Sequence, residues 1–253
     1  MTVKNRSGET TRTTRTTTPI IGPGRYQRPP GGNPREGAPR ILGGNRHDAV
    51  LVVHPVRPPF QFVLGGRPYE ATLWPGERLA GPFIAVDTET EVIDGPGIPR
   101  LALLSASDGS RTVLVRPEEA GAFVQCHAGR DLIFHNSAFD AWVLIDHFRR
   151  TGSVAAAEAL WRMADEGRLH ATMLLDALVR LATDGSHPAP RGLDVVASEW
   201  AGIQDIDKES PFRLRYGELI GKSWDDVDEG FFRYTAKDVV ATYVVYQRLQ
   251  AVA

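Results

Sequence analysis

The sequence predicts an α/β layered domain, in which an antiparallel meander of strands and one further strand are followed by a run of helices. Three observations carry that prediction. Short apolar runs cluster between residues 83 and 134, turn signals such as Asp108-Gly109 separate them, and from residue 138 onward apolar residues recur at helical spacing between glycine-bearing breaks.

Taken in chain order, residues 1–46 are rich in Thr, Arg, Gly and Pro, and Pro29-Pro30-Gly31-Gly32-Asn33-Pro34 forbids a regular element. A disordered basic tail is expected there, read as either a solubilising segment or a nucleic-acid arm. A transit peptide fits poorly, because the stretch lacks an amphipathic apolar face. Residues 47–80 read as a small β accessory element. It comprises runs at 50–56 and 60–64, the turn Gly65-Gly66-Arg67-Pro68, and a run at 69–73. The main domain is expected over 81–253. Phe83-Ile84-Ala85-Val86 is a buried strand that delivers Asp87 at its end. Strands at 101–105 and 112–115 complete the meander, a helix covers 118–127, and a fourth strand covers 131–134. Helices follow at 138–150, 155–166, 172–181, 193–200 and 229–252, with Trp142, Trp161, Trp200 and Trp224 read as core.

Composition narrows the function classes. With 253 residues, 42% hydrophobic, the chain can bury a full core and is neither fibrous nor wholly disordered. Its longest apolar runs, at 50–53 and 239–245, fall far short of the roughly 18 residues that span a bilayer, so no membrane partner is expected. Cys126 is the only cysteine, which excludes intrachain disulfides and multi-cysteine zinc sites and suits a reducing compartment. With no apolar stretch after Met1 resembling a secretory signal, a cytoplasmic protein is expected. The net charge of −2 hides an asymmetry. Residues 1–46 hold nine Lys or Arg against Glu9 and Glu36, whereas the remainder holds 20 basic and 29 acidic residues. A basic arm thus precedes an acidic body.

The acids form a pattern. Asp87 and Glu89, two apart on an extended segment, project to one face, where they repel unless a cation joins them. In His135-Asn136-Ser137-Ala138-Phe139-Asp140, a further carboxylate opens a helix, and Tyr234 and Asp238 stand at i and i+4 on the last helix. Oxygen donors without a His or Cys cluster favour Mg²⁺ or Mn²⁺ over zinc. His54, His127, His147, His170 and His187 show no ligand spacing, and His135 reads as a packed neighbour of the site. Gly22-Pro23-Gly24 and Gly43-Gly44 follow no strand and open no helix, so they are not phosphate loops.

An apolar strand into Asp87-Thr88-Glu89, then Asn136 to Asp140, then Tyr234 to Asp238, in that order, resembles the DEDD (DnaQ-like) superfamily of 3′-5′ exonucleases in its tyrosine-bearing DEDDy subclass. The resemblance covers about residues 82–252. Residues 172–176 and 193–200 look like connecting helices of the proofreading domains of family A DNA polymerases, and 212–219 is similar to a stretch of phage-type relatives. An extra helix near 155–166 and Ala171, where many relatives carry Asp, depart from the pattern without touching the acids. The resemblance implies a ribonuclease H-like mixed sheet flanked by helices. It further implies that Asp87, Glu89, Asp140 and Asp238 hold two divalent ions and that Tyr234 orients the attacking water, with Thr88, Asn136 and Phe139 at the substrate. For Asn136, capping of the following helix is an equal reading. Only 15 residues follow Asp238, so a stand-alone exonuclease, or a module beside a polymerase or another replication or repair partner, is expected.

The implied activity is removal of nucleoside 5′-monophosphates from a nucleic acid with a free 3′ end. Single-stranded DNA or a frayed duplex is favoured, as in proofreading and DNA repair. The alternatives are an RNase D-like RNA 3′-end processing enzyme and a catalytically silent nucleic-acid-binding module.

Overall fold

The computed structural model describes residues 59–253 apart from 187, 188, 190, 207 and 209. The expected basic tail, the run at 50–56, His54 and His187 lie outside the described residues.

Among the described residues seven strands form one sheet: β1 (Phe60–Leu64), β2 (Arg67–Leu73), β3 (Phe83–Thr90), β4 (Leu101–Ser107), β5 (Thr112–Val115), β6 (Asp131–Phe134) and β7 (Leu169–Ala171). Their order across the sheet is β1-β2-β5-β4-β3-β6-β7. β3, β4 and β5 are the expected antiparallel meander, while β6 lies parallel to β3 and β7 parallel to β6. This central arrangement, with a meander on one side of β3 and parallel strands on the other, is the ribonuclease H-like topology.

The β1–β2 hairpin turns at Gly65 and Gly66, both at positive φ, the backbone that a two-residue hairpin turn requires. It does not stand apart from the main domain. Ala71, Thr72 and Leu73 pair in parallel with Thr112, Val113 and Leu114, so the hairpin widens the central sheet by two strands.

Among the described residues six α-helices cover the sheet: α1 (Ala120–Cys126), α2 (Ser137–Thr151), α3 (Val154–Asp165), α4 (Thr172–Asp184), α5 (Leu193–Ala201) and α6 (Glu229–Gln250). Strand alternation divides the core between the two faces. Ile84 and Val86 of β3 pack with α1, α2 and α3 through Phe123, Leu144 and Leu160. Ala85 points the other way, into the layer of α5 and α6 with Val196, Phe232 and Val240. α6 is capped by Asp228, whose side chain accepts from the Gly230 N–H. It is pinned to β4 by two hydroxyls: Thr235 Oγ1 donates to Ser105 Oγ at 2.9 Å and Ser105 Oγ to the Thr235 carbonyl at 3.3 Å. None of the helices among the described residues is long and apolar enough to cross a membrane.

Two expectations need correction. Trp224 is buried, but Trp142 and Trp161 are 52% and 46% exposed, packed edge to face at 5.7 Å. Trp142 lies off the buried stripe of α2 formed by Val143, Leu144 and Phe148. β7 was also unforeseen. Its three residues are too few to show a period.

Candidate active site

The site forms where β3 ends against α6. Alternation along Asp87-Thr88-Glu89 sends the two acids toward α6 and the threonine toward α2. From α6, Asp238 meets them. One carboxylate oxygen from each of Asp87, Glu89 and Asp238 lies within 4.8 Å of the other two. Tyr234, one turn earlier, lies within hydrogen-bond reach of the Asp238 carboxylate.

Asp140 stands on the other side of the strand. It is 4% exposed, and its Oδ1 accepts from the Thr88 N–H at 3.2 Å and the Thr88 hydroxyl at 2.6 Å. It therefore falls outside the three-carboxylate cluster, although its charge still reaches Asp87 and Glu89. The Thr88 hydroxyl, expected at the substrate, is engaged by this acid. Phe139 lines the cleft, which encloses about 410 Å³ with Asp87, Glu89, Tyr234 and Asp238. Asn136 does not line it. Its side chain makes no capping bond either; the backbone carbonyl opens α2 by accepting from the N–H groups of Phe139 and Asp140.

Burial and mutual repulsion raise the carboxyl pKa values. Asp87 rises well above the usual range through burial, then through Glu89, Asp140 and Asp238. Glu89 is pushed up to about 8 by burial and by Asp238. Asp140 rises to about 7 through burial, against the Thr88 hydrogen bonds. Asp238 rises to about 6 through burial, against the charge of Lys208 and the Tyr234 hydrogen bond. Tyr234 is itself displaced far upward by burial and by the acids around it, so the phenol remains neutral.

These residues fit divalent cations. Glu89 Oε1 is buried without a hydrogen-bond partner, and three carboxylates share a small space that strongly penalises their ionisation. A bound cation would reverse that penalty, and an all-oxygen donor set suits a hard ion.

Several groups in the site carry no sequence motif. The buried Tyr216 hydroxyl donates to the Phe231 carbonyl at 2.9 Å and also lies in hydrogen-bond reach of Glu89. Lys208 and Arg213 bring positive charge into the cleft, and Lys208 also pairs with Asp194 at 3.8 Å. The exposed apolar side chains of Val92, Ile93 and Leu214 border it. His135 is a packed neighbour, as expected. Its Nδ1 meets Thr172 Oγ1 and its Nε2 the Arg191 carbonyl, both at 2.9 Å. Arg191 in turn binds Asp176, which also accepts from Arg180 and from the Trp200 indole, so α4 and α5 are tied together behind the site.

No protein-family model and no curated protein matches the sequence. Solved structures similar to the chain include Escherichia coli RNase D, an exoribonuclease involved in structured RNA processing, at 20% identity and a TM-score of 0.48, covering 68% of this chain and 39% of that one. The Aedes aegypti Nibbler EXO domain is similar at 12% identity and a TM-score of 0.48, covering 68% and 78%. Trypanosoma brucei RNase D in complex with GMP is similar at 14% identity and a TM-score of 0.47, covering 67% and 51%. The chain thus spans well under two thirds of either RNase D chain.

Proposed function

We propose that the protein is a metal-dependent 3′-5′ exonuclease that hydrolyses phosphodiester bonds and releases nucleoside 5′-monophosphates. The observation that carries this reading is the convergence of Asp87, Glu89 and Asp238 beside a neutral Tyr234, with Asp140 held on the reverse of the same strand. In it, Asp87, Glu89 and Asp238 would hold two ions, Mg²⁺ or Mn²⁺, while Asp140, outside the cluster, adds its charge from behind. The chemistry supplied by ions held there would be neutralisation of phosphate charge and activation of water. Tyr234 holds the attacking water by hydrogen bonding, since a phenol whose pKa is raised further is no general base at neutral pH. Asp238 fixes the orientation of that phenol. Lys208 and Arg213 offset the charge that a phosphate chain brings into an acidic cleft. Phe139 supplies a ring for the terminal base.

RNA with a free 3′ end is the substrate to try first, as the exoribonucleases among the similar structures suggest. The DNA preference expected above has no support in the cleft, whose charged groups serve the phosphates of RNA and DNA alike. Nor does the proposal use the expected polymerase partner.

The test is incubation with RNA and DNA oligonucleotides labelled at either end, in Mg²⁺, Mn²⁺ or EDTA. Stepwise shortening from the 3′ end that stops in EDTA is expected. Intact substrate under every condition would overturn the reading.

A further inference from the structure

Phe139, the ring that lines the cleft, belongs to the first turn of α2, and Trp142 stands three residues further along the same helix. Side chains at i and i+3 are neighbours on a helix surface, and a helical side chain leans back over the turn that precedes it. α2 starts at the site and runs away from it, with Asp140 of its first turn held by Thr88. Trp142 is therefore the next side chain outward from Phe139 on that side of the helix.

Tryptophan is a residue that folding mostly hides, yet Trp142 and its α3 neighbour Trp161 are each about half exposed. Their rings meet at 85° with centres 5.7 Å apart. In an edge-to-face pair one ring gives only its edge to the other, so both of its flat faces stay free of that contact. Phe139, Trp142 and Trp161 thus follow one another from the cleft, along α2 and onto α3.

Charge indicates what this track can carry. The exposed residues of α2 are Ala138, Trp142, Arg149, Arg150 and Thr151, without a carboxylate, in a body whose acids outnumber its bases. Both acids of the helix, Asp140 and Asp146, are buried. Asp146 alone pairs with Arg149 and Arg150, which leaves one positive charge over. On α3, Arg162 adjoins Trp161, with Glu158 and Asp165 about a turn to either side. A protein partner would bury aliphatic side chains too, and α2 exposes none larger than alanine. Flat rings beside arginines suit single-stranded nucleic acid, in which every base has a π-face and every linkage a negative charge.

We propose that Trp142 and Trp161 form a stacking platform for the nucleotides that precede the 3′-terminal one, on a single strand whose end lies in the cleft. The inference deepens the proposed function and rests on it for the direction of the strand.

Titration calorimetry of the full chain in EDTA with a single-stranded RNA decanucleotide, and steady-state cleavage of the same strand in Mn²⁺, test it on the wild type, Trp142→Ala, Trp161→Ala and Trp142→Phe. Each alanine variant should bind the decanucleotide about 10-fold more weakly, as for one lost base–aromatic stack. The loss should be equal at low and high salt, because stacking neutralises no phosphate. In cleavage the alanine variants should raise KM and spare kcat, and Trp142→Phe, which keeps a ring, should recover most of the affinity. Both side chains are on the surface, so unchanged melting temperatures are expected. A wild type that does not cleave, with the alanine losses in affinity intact, would refute the catalytic reading and leave the platform standing. Cleavage by the wild type, with alanine variants that bind and cleave as it does, overturns the platform alone. So does a wild type that shows no saturable binding of the decanucleotide. Unaltered RNA affinity together with a dimer that the alanine substitutions dissociate in sedimentation also overturns it, by making the pair an interface between copies of the chain.

Discussion

Thr88 donates both its backbone N–H and its hydroxyl to the same oxygen of Asp140, at 3.2 and 2.6 Å. The strand that carries Asp87 and Glu89 forward therefore grips the acid of α2 behind it, through the one residue between them. Asp140 owes its orientation to this grip, and its charge still bears on Asp87 and Glu89.

Thr88→Val keeps the side-chain shape and removes the hydroxyl. A buried carboxylate that loses such a donor is expected to destabilise the fold by about 1–3 kcal/mol near neutral pH. Activity should fall by roughly 10-fold to 100-fold, the usual effect of disturbing a partner that stands behind metal-binding residues. Thr88→Ser should restore most of both. Chemical denaturation and single-turnover assays on the three proteins check this, and wild-type activity in Thr88→Val would refute the coupling.

Asp87→Ala and Asp238→Ala should each abolish hydrolysis and leave the fold intact. Each removes a donor from the cluster but also relieves repulsion among buried acids. In metal-free buffer the melting temperature is expected to hold or rise. Wild-type cleavage in either variant would contradict the assigned roles.

Tyr234→Phe should slow hydrolysis by roughly 10-fold to 10⁴-fold and leave substrate affinity unchanged, as befits a group that positions a nucleophile. Presteady-state rates alongside oligonucleotide binding separate the two quantities. An unaltered rate would reduce Tyr234 to packing.

Without metal, stability should depend on pH through the acid cluster. Asp140, Asp238 and Glu89 have folded pKa values of about 7, 6 and 8, all above those of the unfolded chain. The folded state then holds protons that the unfolded state has released, so this contribution is greatest near the ordinary carboxyl range and falls as pH rises toward about 8. In EDTA, Glu89→Gln should gain on the wild type in melting temperature between about pH 5 and pH 8.5, and added Mn²⁺ should stabilise the wild type more at the alkaline end. Parallel melting curves at all pH values would contradict this.

Much of this arrangement is legible in the sequence because it follows from periodicity. Alternation on β3 places Asp87 and Glu89 together, and the i to i+4 spacing stacks Tyr234 with Asp238 on α6. The same alternation also sends Thr88 to the other face, but the sequence does not reveal its partner, because Asp140 lies on a different element. Tyr216 belongs to the short turn Tyr216–Leu219, where no period marks a buried side. Lys208 and Arg213 lie in an irregular segment, and only the folded chain brings them to the acids. Parallel pairing of β2 with β5 likewise depends on contacts that no local pattern encodes.

The hairpin at the amino-terminal side of the described chain has a consequence for the order of assembly. β2 needs β5 as its ladder partner, and Phe60 of β1 packs on Phe232 of α6, with ring centres 4.9 Å apart. During synthesis this hairpin leaves the ribosome ahead of β5 and α6. Phe60 must therefore wait for its α6 partner until that helix emerges. Closure then joins early and late parts of the chain in a single non-local step, the kind that slows folding and leaves a nascent chain dependent on chaperones in the interval.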